Sequence, residues 1–266
     1  MAAVTKRDVP TPPVLWQFAL SHYVEKVRWA LDVKRVPHVR RSLLPGLHIN
    51  RIKKMTGQTA VPVFEFNGTM IHDSSAILKE VEKAWPEPPL YPSDPVDREC
   101  AIDLEDYFDE ELGIHIRQWF YFLLLPYSST IATLFVGQSG IFHRLLFRAI
   151  FPAVRPRMIR YMQIYPREAQ AARQRTVAAM DRIGREIQPS GYLVGDHFTV
   201  ADLTAAALLW PLVMPKEFPY KLPTKLPTPF ATERKQVAGH RAVRWAAGIY
   251  QNHRGRSAAI SDETVI

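Results

Sequence analysis

The sequence predicts an α+β protein, with a small α/β domain at residues 14–85 and an all-α helical domain at residues 96–253. Three observations carry this expectation. The N-terminal third alternates short β-suited runs with helical stripes. A proline-rich break, PEPPLYPSDP at residues 86–95, then interrupts every pattern and reads as a linker. Beyond it, apolar residues recur at helical spacing and no strand pattern intervenes. Residues 1–13 remain as an N-terminal extension and residues 254–266 as a flexible tail.

In chain order, Val14 to Leu20 is mostly apolar and suits a buried strand. In SHYVEKVRWALDVKRV, Val24, Val27, Trp29, Ala30 and Leu31 approximate a helical stripe. HVRRSLL is a short strand and HINRIKKM a weakly helical connection. VPVFEFNGTMIHDSS reads as two strands about Asn67-Gly68, the strongest short hairpin signal a sequence offers. A helix runs from Ser75 to about Trp85, so the sheet expected has four strands. In the second domain, Ala101, Leu104, Phe108, Leu112, Ile116 and Trp119 keep helical spacing. REAQAARQRTVAAMDRIGREI is a second long helix, TVADLTAAALLWPL a buried one, and HRAVRWAAGIYQNH a terminal amphipathic one. Prolines at residues 211–230 mark an extended surface loop, and the final ETVI reads as a frayed end.

Hydrophobic content of 47% and charged content of 23% describe a soluble globular chain. The N-terminus has no apolar signal-like run. One cysteine, Cys100, excludes a disulfide framework and suits a reducing compartment; on its helix it reads as a small buried hydrophobe. The net charge of +8 is scattered, without aromatic interleaving, which implies a general basic surface and no specific nucleic-acid binding. TIATLFVGQSGIF is apolar but too short to span a membrane and reads as a core or pocket helix. The histidines show no metal-ligand spacing, so no metal is expected. GQSG lacks the spacing of a nucleophile elbow.

Two features of the hairpin carry chemistry. Pro62, at a strand's second residue, donates no ladder hydrogen bond and belongs at an edge or special turn. Asp73-Ser74-Ser75 precedes the apolar run Ile77, Leu78, Val81 and opens a helix, whose exposed N–H groups favour an anion; capping alone would also explain it.

Three signatures in order, LSHYVEKVRWALD, AVPVFEFNGTMIHDSSAIL and GYLVGDHFTVADL, resemble the soluble glutathione transferases, closely over residues 14–92 and loosely over 95–253. In the third, Thr199 and Asp202 form a capping box. The resemblance implies that the first domain is thioredoxin-like, with glutathione as co-substrate, a hydrophobic small-molecule acceptor, a homodimer and a cytoplasmic protein. It implies that Pro62 is a cis-proline that turns the backbone of Val61 toward the cysteinyl part of glutathione. Asp73 and Ser74 would hold the γ-glutamyl group, and His48, Gln58 and Thr59 the glycyl carboxylate.

The activating group is read as Ser21, at the end of the first strand and the start of the first helix; Tyr23 is the alternative donor, and a purely structural cap the third reading. A hydroxyl hydrogen bond at a helix N-terminus favours a thiolate through two terms together. Val24 and Ser21 stand where cysteine-dependent relatives carry cysteine, which disfavours mixed-disulfide chemistry. The aromatic segment from Trp119 to Phe151 would face the acceptor. Two other readings use or abandon the same site: a glutathione-dependent peroxidase or isomerase, and a noncatalytic binder of apolar ligands or protein partners.

Overall fold

A computed structural model describes residues 11–136 and 140–265. Most of the expected N-terminal extension, GQSG except its last glycine, and Ile266 lie outside the described residues. Strands β1 (Val14–Gln17), β2 (His38–Leu43), β3 (Val63–Phe66) and β4 (Thr69–His72) alternate with helices α1 (His22–Val33), α2 (His48–Thr56) and α3 (Ser74–Ala84). Then follow α4 (Pro95–Tyr107), a π-helical turn (Phe108–Gly113), α5 (Ile114–Leu124), α6 (Ser128–Val136), α7 (Ile141–Met162), α8 (Pro166–Glu186), α9 (Val200–Val213), α10 (Thr228–Val237) and α11 (Arg241–His253).

The sheet runs β4-β3-β1-β2-β5, where β5 is Ala259–Val265. β1 pairs parallel to β2 and antiparallel to β3, and β3 pairs antiparallel to β4. Side-chain alternation sends Leu15 and Phe64 to one face, against Val24, Val27, Leu31, Ile77, Leu78 and Val81 of α1 and α3. It sends Trp16, Leu43 and Val63 to the other, against Ile52 of α2. The first of these clusters continues without a break into the helical half, through Trp29, Phe108, Leu112 and α9. α9 is apolar all round and buried along its whole length, as a helix packed on every side must be. Its capping box is formed as the sequence predicts, with the Thr199 N–H donating to Asp202 Oδ2 at 2.9 Å. Burial pushes the Asp202 carboxyl up to about 6, against the pull of those hydrogen bonds.

The linker is held rather than loose. Leu90 and Tyr91 are buried, and the N–H of Leu90 donates to Glu82, which also pairs with Lys34 at 2.7 Å.

Three expectations are corrected. The C-terminal segment adds a strand, β5, beside β2, in parallel register from Val39↔Ser261 to Leu43↔Val265 after an irregularity at His38/Val39, so the sheet has five strands and not four. The cause is charge, not apolarity. Asp32, buried on α1, pairs with Arg40 of β2 and with Arg254 at 2.9 Å each, and accepts the Ala258 N–H at 2.8 Å. Arg254 also meets Glu25 at 2.7 Å. The proline-rich stretch, in turn, is not a surface loop throughout. It begins inside α9, and Phe218 and Tyr220 are buried, the Tyr220 hydroxyl bridging Gln17 and Asp262 of β5. Cys100 is exposed rather than buried, because it lies on the solvent side of α4.

Two histidines are buried in the neutral form. His38 accepts from Arg40 Nε at 3.1 Å and donates through Nδ1 to the Val36 carbonyl at 2.8 Å; burial, with Arg40 beside it, lowers its pKa to about 4. His22 donates through Nε2 to the Gly113 carbonyl at 2.9 Å, and burial lowers its pKa to about 3.

Two outcomes are expected. Asp32→Ala leaves the buried Arg40 guanidinium without a carboxylate and Arg254 with Glu25 alone, and should cost about 3–5 kcal/mol, read in a urea titration; a loss within experimental error would show that β5 is held by other means. Because both histidines ionise more readily unfolded than folded, their contribution is present above the ordinary value of 6.5 and lost as pH falls. Each should destabilise the fold by ~2 kcal/mol at pH 5. His22→Gln should flatten the slope of stability between pH 6.5 and 5 by about one proton; an unchanged slope contradicts the assignment.

Candidate functional site

The site begins where β1 ends. The chain turns through Phe18–Leu20, the Ser21 N–H donating to the Phe18 carbonyl at 3.1 Å. Ser21 is extended, at φ −73° and ψ 126°, and its Oγ accepts the Val24 N–H at 3.4 Å while its carbonyl accepts the Glu25 N–H. As N-cap its oxygen is therefore an acceptor, and its own proton has no acceptor among the described residues.

Tyr23, two residues on, is committed elsewhere. Its hydroxyl donates to the backbone carbonyl of Asp109 at 2.6 Å, and burial raises its pKa well above the ordinary tyrosine value. The ring lies so close to Gly113 that a Cβ there would strike it. Lys26, one turn further along α1, reaches Glu105 at 2.7 Å, Asp109 at 2.6 Å and the Ser75 hydroxyl at 2.8 Å. Burial works against this ammonium, but Asp109 and Glu105 outweigh it and hold its pKa above the ordinary value. The first turns of α1 are thus fastened to the π-helical turn, with α3 joined through Ser75.

On the hairpin side, the Val61-Pro62 bond is cis and the β3 ladder begins at Val63. Asn67 and Gly68 both have positive φ, 49° and 76°, as the predicted two-residue turn requires. Asp73 is exposed and held at φ 72°, a left-handed conformation that a non-glycine residue adopts at a cost of about 1–3 kcal/mol. Its Oδ1 accepts the Ala76 N–H at 3.0 Å, so it caps α3; Ser74 behind it is buried. Asp73 lies near enough to act on the Tyr23 hydroxyl.

Two of the side chains expected at the glycyl end, His48 and Gln58, are internally satisfied. His48 Nδ1 accepts the Gly46 N–H at 3.1 Å, leaving Nε2 to donate to the Thr59 carbonyl at 3.1 Å. Burial lowers its pKa. The Gln58 amide folds onto the backbone of Ala60, donating to its carbonyl at 2.9 Å and accepting its N–H.

Between the sheet end and the helices lies a cavity of about 650 Å³. Ser21, Tyr23, His48, Thr59 and Val61 line it; Gln58, Pro62, Asp73 and Ser74 do not. From the aromatic segment, Tyr121 and Phe135 reach the wall, whereas Trp119 and Phe147 are core and Phe142 is exposed. Sequence reasoning missed Phe18, His22 and Arg117 on the wall, and the buried group of Lys26, Ser75 and Asp109. Arg117 had a signal, as the lone fixed charge in IHIRQWFYFLL. Among the described residues no cluster of three metal-ligating side chains occurs, and no helix is long and apolar enough to cross a membrane.

Comparison with known proteins accords with this geometry. The chain is 33% identical over 91 residues to a probable maleylacetoacetate isomerase of Caenorhabditis elegans, over 34% of this chain and 42% of that protein. It is 29% identical over 103 residues to glutathione S-transferase U4 of Arabidopsis thaliana, over 36% and 43% of the two chains. These matches span about two fifths of each relative's length. In fold it is similar to a glutathione S-transferase from Rhodospirillum rubrum F11, with a TM-score of 0.60, 20% identity and coverage of 92% and 89%. The theta class enzyme of Xanthomonas axonopodis pv. citri, solved with glutathione bound, aligns at a TM-score of 0.57, with 14% identity and coverage of 94% and 100%. The glutathione S-transferase N-terminal domain matches residues 15–89 and the C-terminal domain residues 166–242, together more than half of the chain. With a thioredoxin-like domain followed by a helical one, the chain belongs to the soluble glutathione S-transferase family.

Proposed function

We propose that the protein is a glutathione transferase joining the sulfur of glutathione to a hydrophobic electrophile, with the Ser21 hydroxyl as the donor that stabilises the thiolate. The observation that carries this reading is the placement of Ser21 at the N-cap of α1 on the cavity wall, its proton uncommitted, while the rival hydroxyl of Tyr23 is spent on Asp109. A free thiol titrates near 8.5, and lowering it by about two units needs about 2.7 kcal/mol of preferential stabilisation. A hydroxyl donor at a helix N-terminus acts on the charged form alone, which is what such a shift requires.

In this reading glutathione lies along the edge that opens at Val61, its γ-glutamyl group at the α3 N-terminus, where Asp73 takes the ammonium and the first N–H groups take the carboxylate. The glycyl carboxylate meets the Thr59 end. Since the His48 and Gln58 side chains are satisfied internally, they position that backbone rather than donate to the ligand. Sulfur then attacks the electrophilic carbon, the leaving group departs with the bonding electrons, and the thiol proton passes to water. The protein would work as a cytoplasmic homodimer, as the resemblance implies.

A second reading, glutathione-dependent isomerisation at the same sulfur, is supported by the names of two relatives. It differs only in what the acceptor does after attack. A noncatalytic binder would take apolar ligands and leave glutathione unbound at millimolar concentration in calorimetry.

Titrating the thiolate absorbance of the glutathione complex should give a pKa well below 8.5, and Ser21→Ala should return it toward that value, with kcat/KM lower by about a hundredfold or more. An unchanged titration would remove Ser21 from the mechanism. Asp73→Ala should weaken glutathione binding by about tenfold or more while leaving the bound thiol's pKa in place; unchanged affinity would place the γ-glutamyl group elsewhere.

A further inference from the structure

Arg117 is the unexplained charge of the cavity. It projects from α5, lines the wall, and holds its guanidinium 6.0 Å from the Tyr23 ring. Its Nε is buried without a hydrogen-bond partner. Among the described residues it makes no ion pair, although Asp73, Asp109 and Glu110 all lie near enough to Tyr23 to act on it. Asp109 is taken by Lys26, and Asp73 and Glu110 are exposed and do not line the cavity. Arg157, the other arginine on the wall, is exposed and donates to its own helix at Ala153. Among the described residues no aspartate or glutamate lines the cavity.

A partly desolvated guanidinium with no counter-charge costs free energy until an anion meets it, and its planar fork suits a carboxylate. The same wall also carries Tyr121, Phe135, Ile150 and Met158, which are aromatic or aliphatic. We propose that Arg117 anchors a carboxylate on the second substrate, so that the acceptor is an apolar, aromatic-like electrophile carrying one anionic group. This rests on the transferase reading for its chemistry, but the binding it describes needs no glutathione.

The two are therefore separable. Calorimetry on the full chain with dinitrobenzoate and with its methyl ester, both lacking a leaving group, should show the acid binding more tightly than the ester. Arg117→Gln should weaken the acid by about tenfold or more and leave the ester within about twofold, and Arg117→Lys, which keeps the charge but not the fork, should restore only part of the loss. With chlorodinitrobenzoate as acceptor, where sulfur displaces chloride and the thiol proton goes to solvent, the same variant should raise KM more than it lowers kcat. Equal binding of acid and ester by the unaltered protein, or equal losses in the variant, would overturn the proposal. So would a variant that instead weakened glutathione or shifted its thiolate titration, since Arg117 would then serve the co-substrate. Failure of glutathione to bind, with the acid still preferred, would sink the transferase reading and leave this one standing.

Discussion

The arrangement depends on the fastening of α1 to the π-helical turn. His22, Tyr23 and Lys26 sit in the first two turns of one helix and reach, in order, the Gly113 carbonyl, the Asp109 carbonyl and two carboxylates. These contacts cross between the sheet half and the helical half of the chain. Ser21 is the residue immediately before them, so its position is inherited from that clamp. The π-helical turn carries both carbonyls that receive these bonds, those of Asp109 and Gly113. Gly113 is the complementary concession, since any larger residue would displace the Tyr23 ring.

The same clamp separates two hydroxyls that sequence alone leaves in competition. Tyr23 is drawn into the interface and its proton spent there, while Ser21 is left at the surface of the cavity. The electrostatics follow the same division. Glu105 and Asp109 are engaged by Lys26 behind the wall, Asp73 at the α3 cap lies off the cavity, and among the described residues the fixed charge that lines it is positive. Such a wall favours thiolates and carboxylates over cations without any metal being invoked.

Local chemistry made much of this legible. Asn67-Gly68 announced its turn and Thr199 and Asp202 their capping box, whereas the cis bond at Val61-Pro62 was implied by the family resemblance. The first two are features in which a few neighbouring residues dictate a backbone shape. The failures share a different cause. β5 reads as polar because its pairing is decided by Asp32, more than two hundred residues away in sequence, and by Arg254 beside it. Lys26 and Asp109 look like solvated charges until the fold brings them together. His48 and Gln58 look like free donors because nothing in the sequence reveals that Gly46, Thr59 and Ala60 already claim them. The aromatic run misled for a geometric reason, since one helix shows different residues to core, cavity and solvent.

The central claim is that the clamp delivers one hydroxyl, that of Ser21, to the sulfur of a tripeptide lying on the Val61 edge. A crystal structure of the glutathione complex tests it most directly. The account predicts the sulfur within hydrogen-bonding distance of Ser21 Oγ, with the Tyr23 hydroxyl still on the Asp109 carbonyl. A sulfur held instead by Tyr23, with the clamp released, would contradict it.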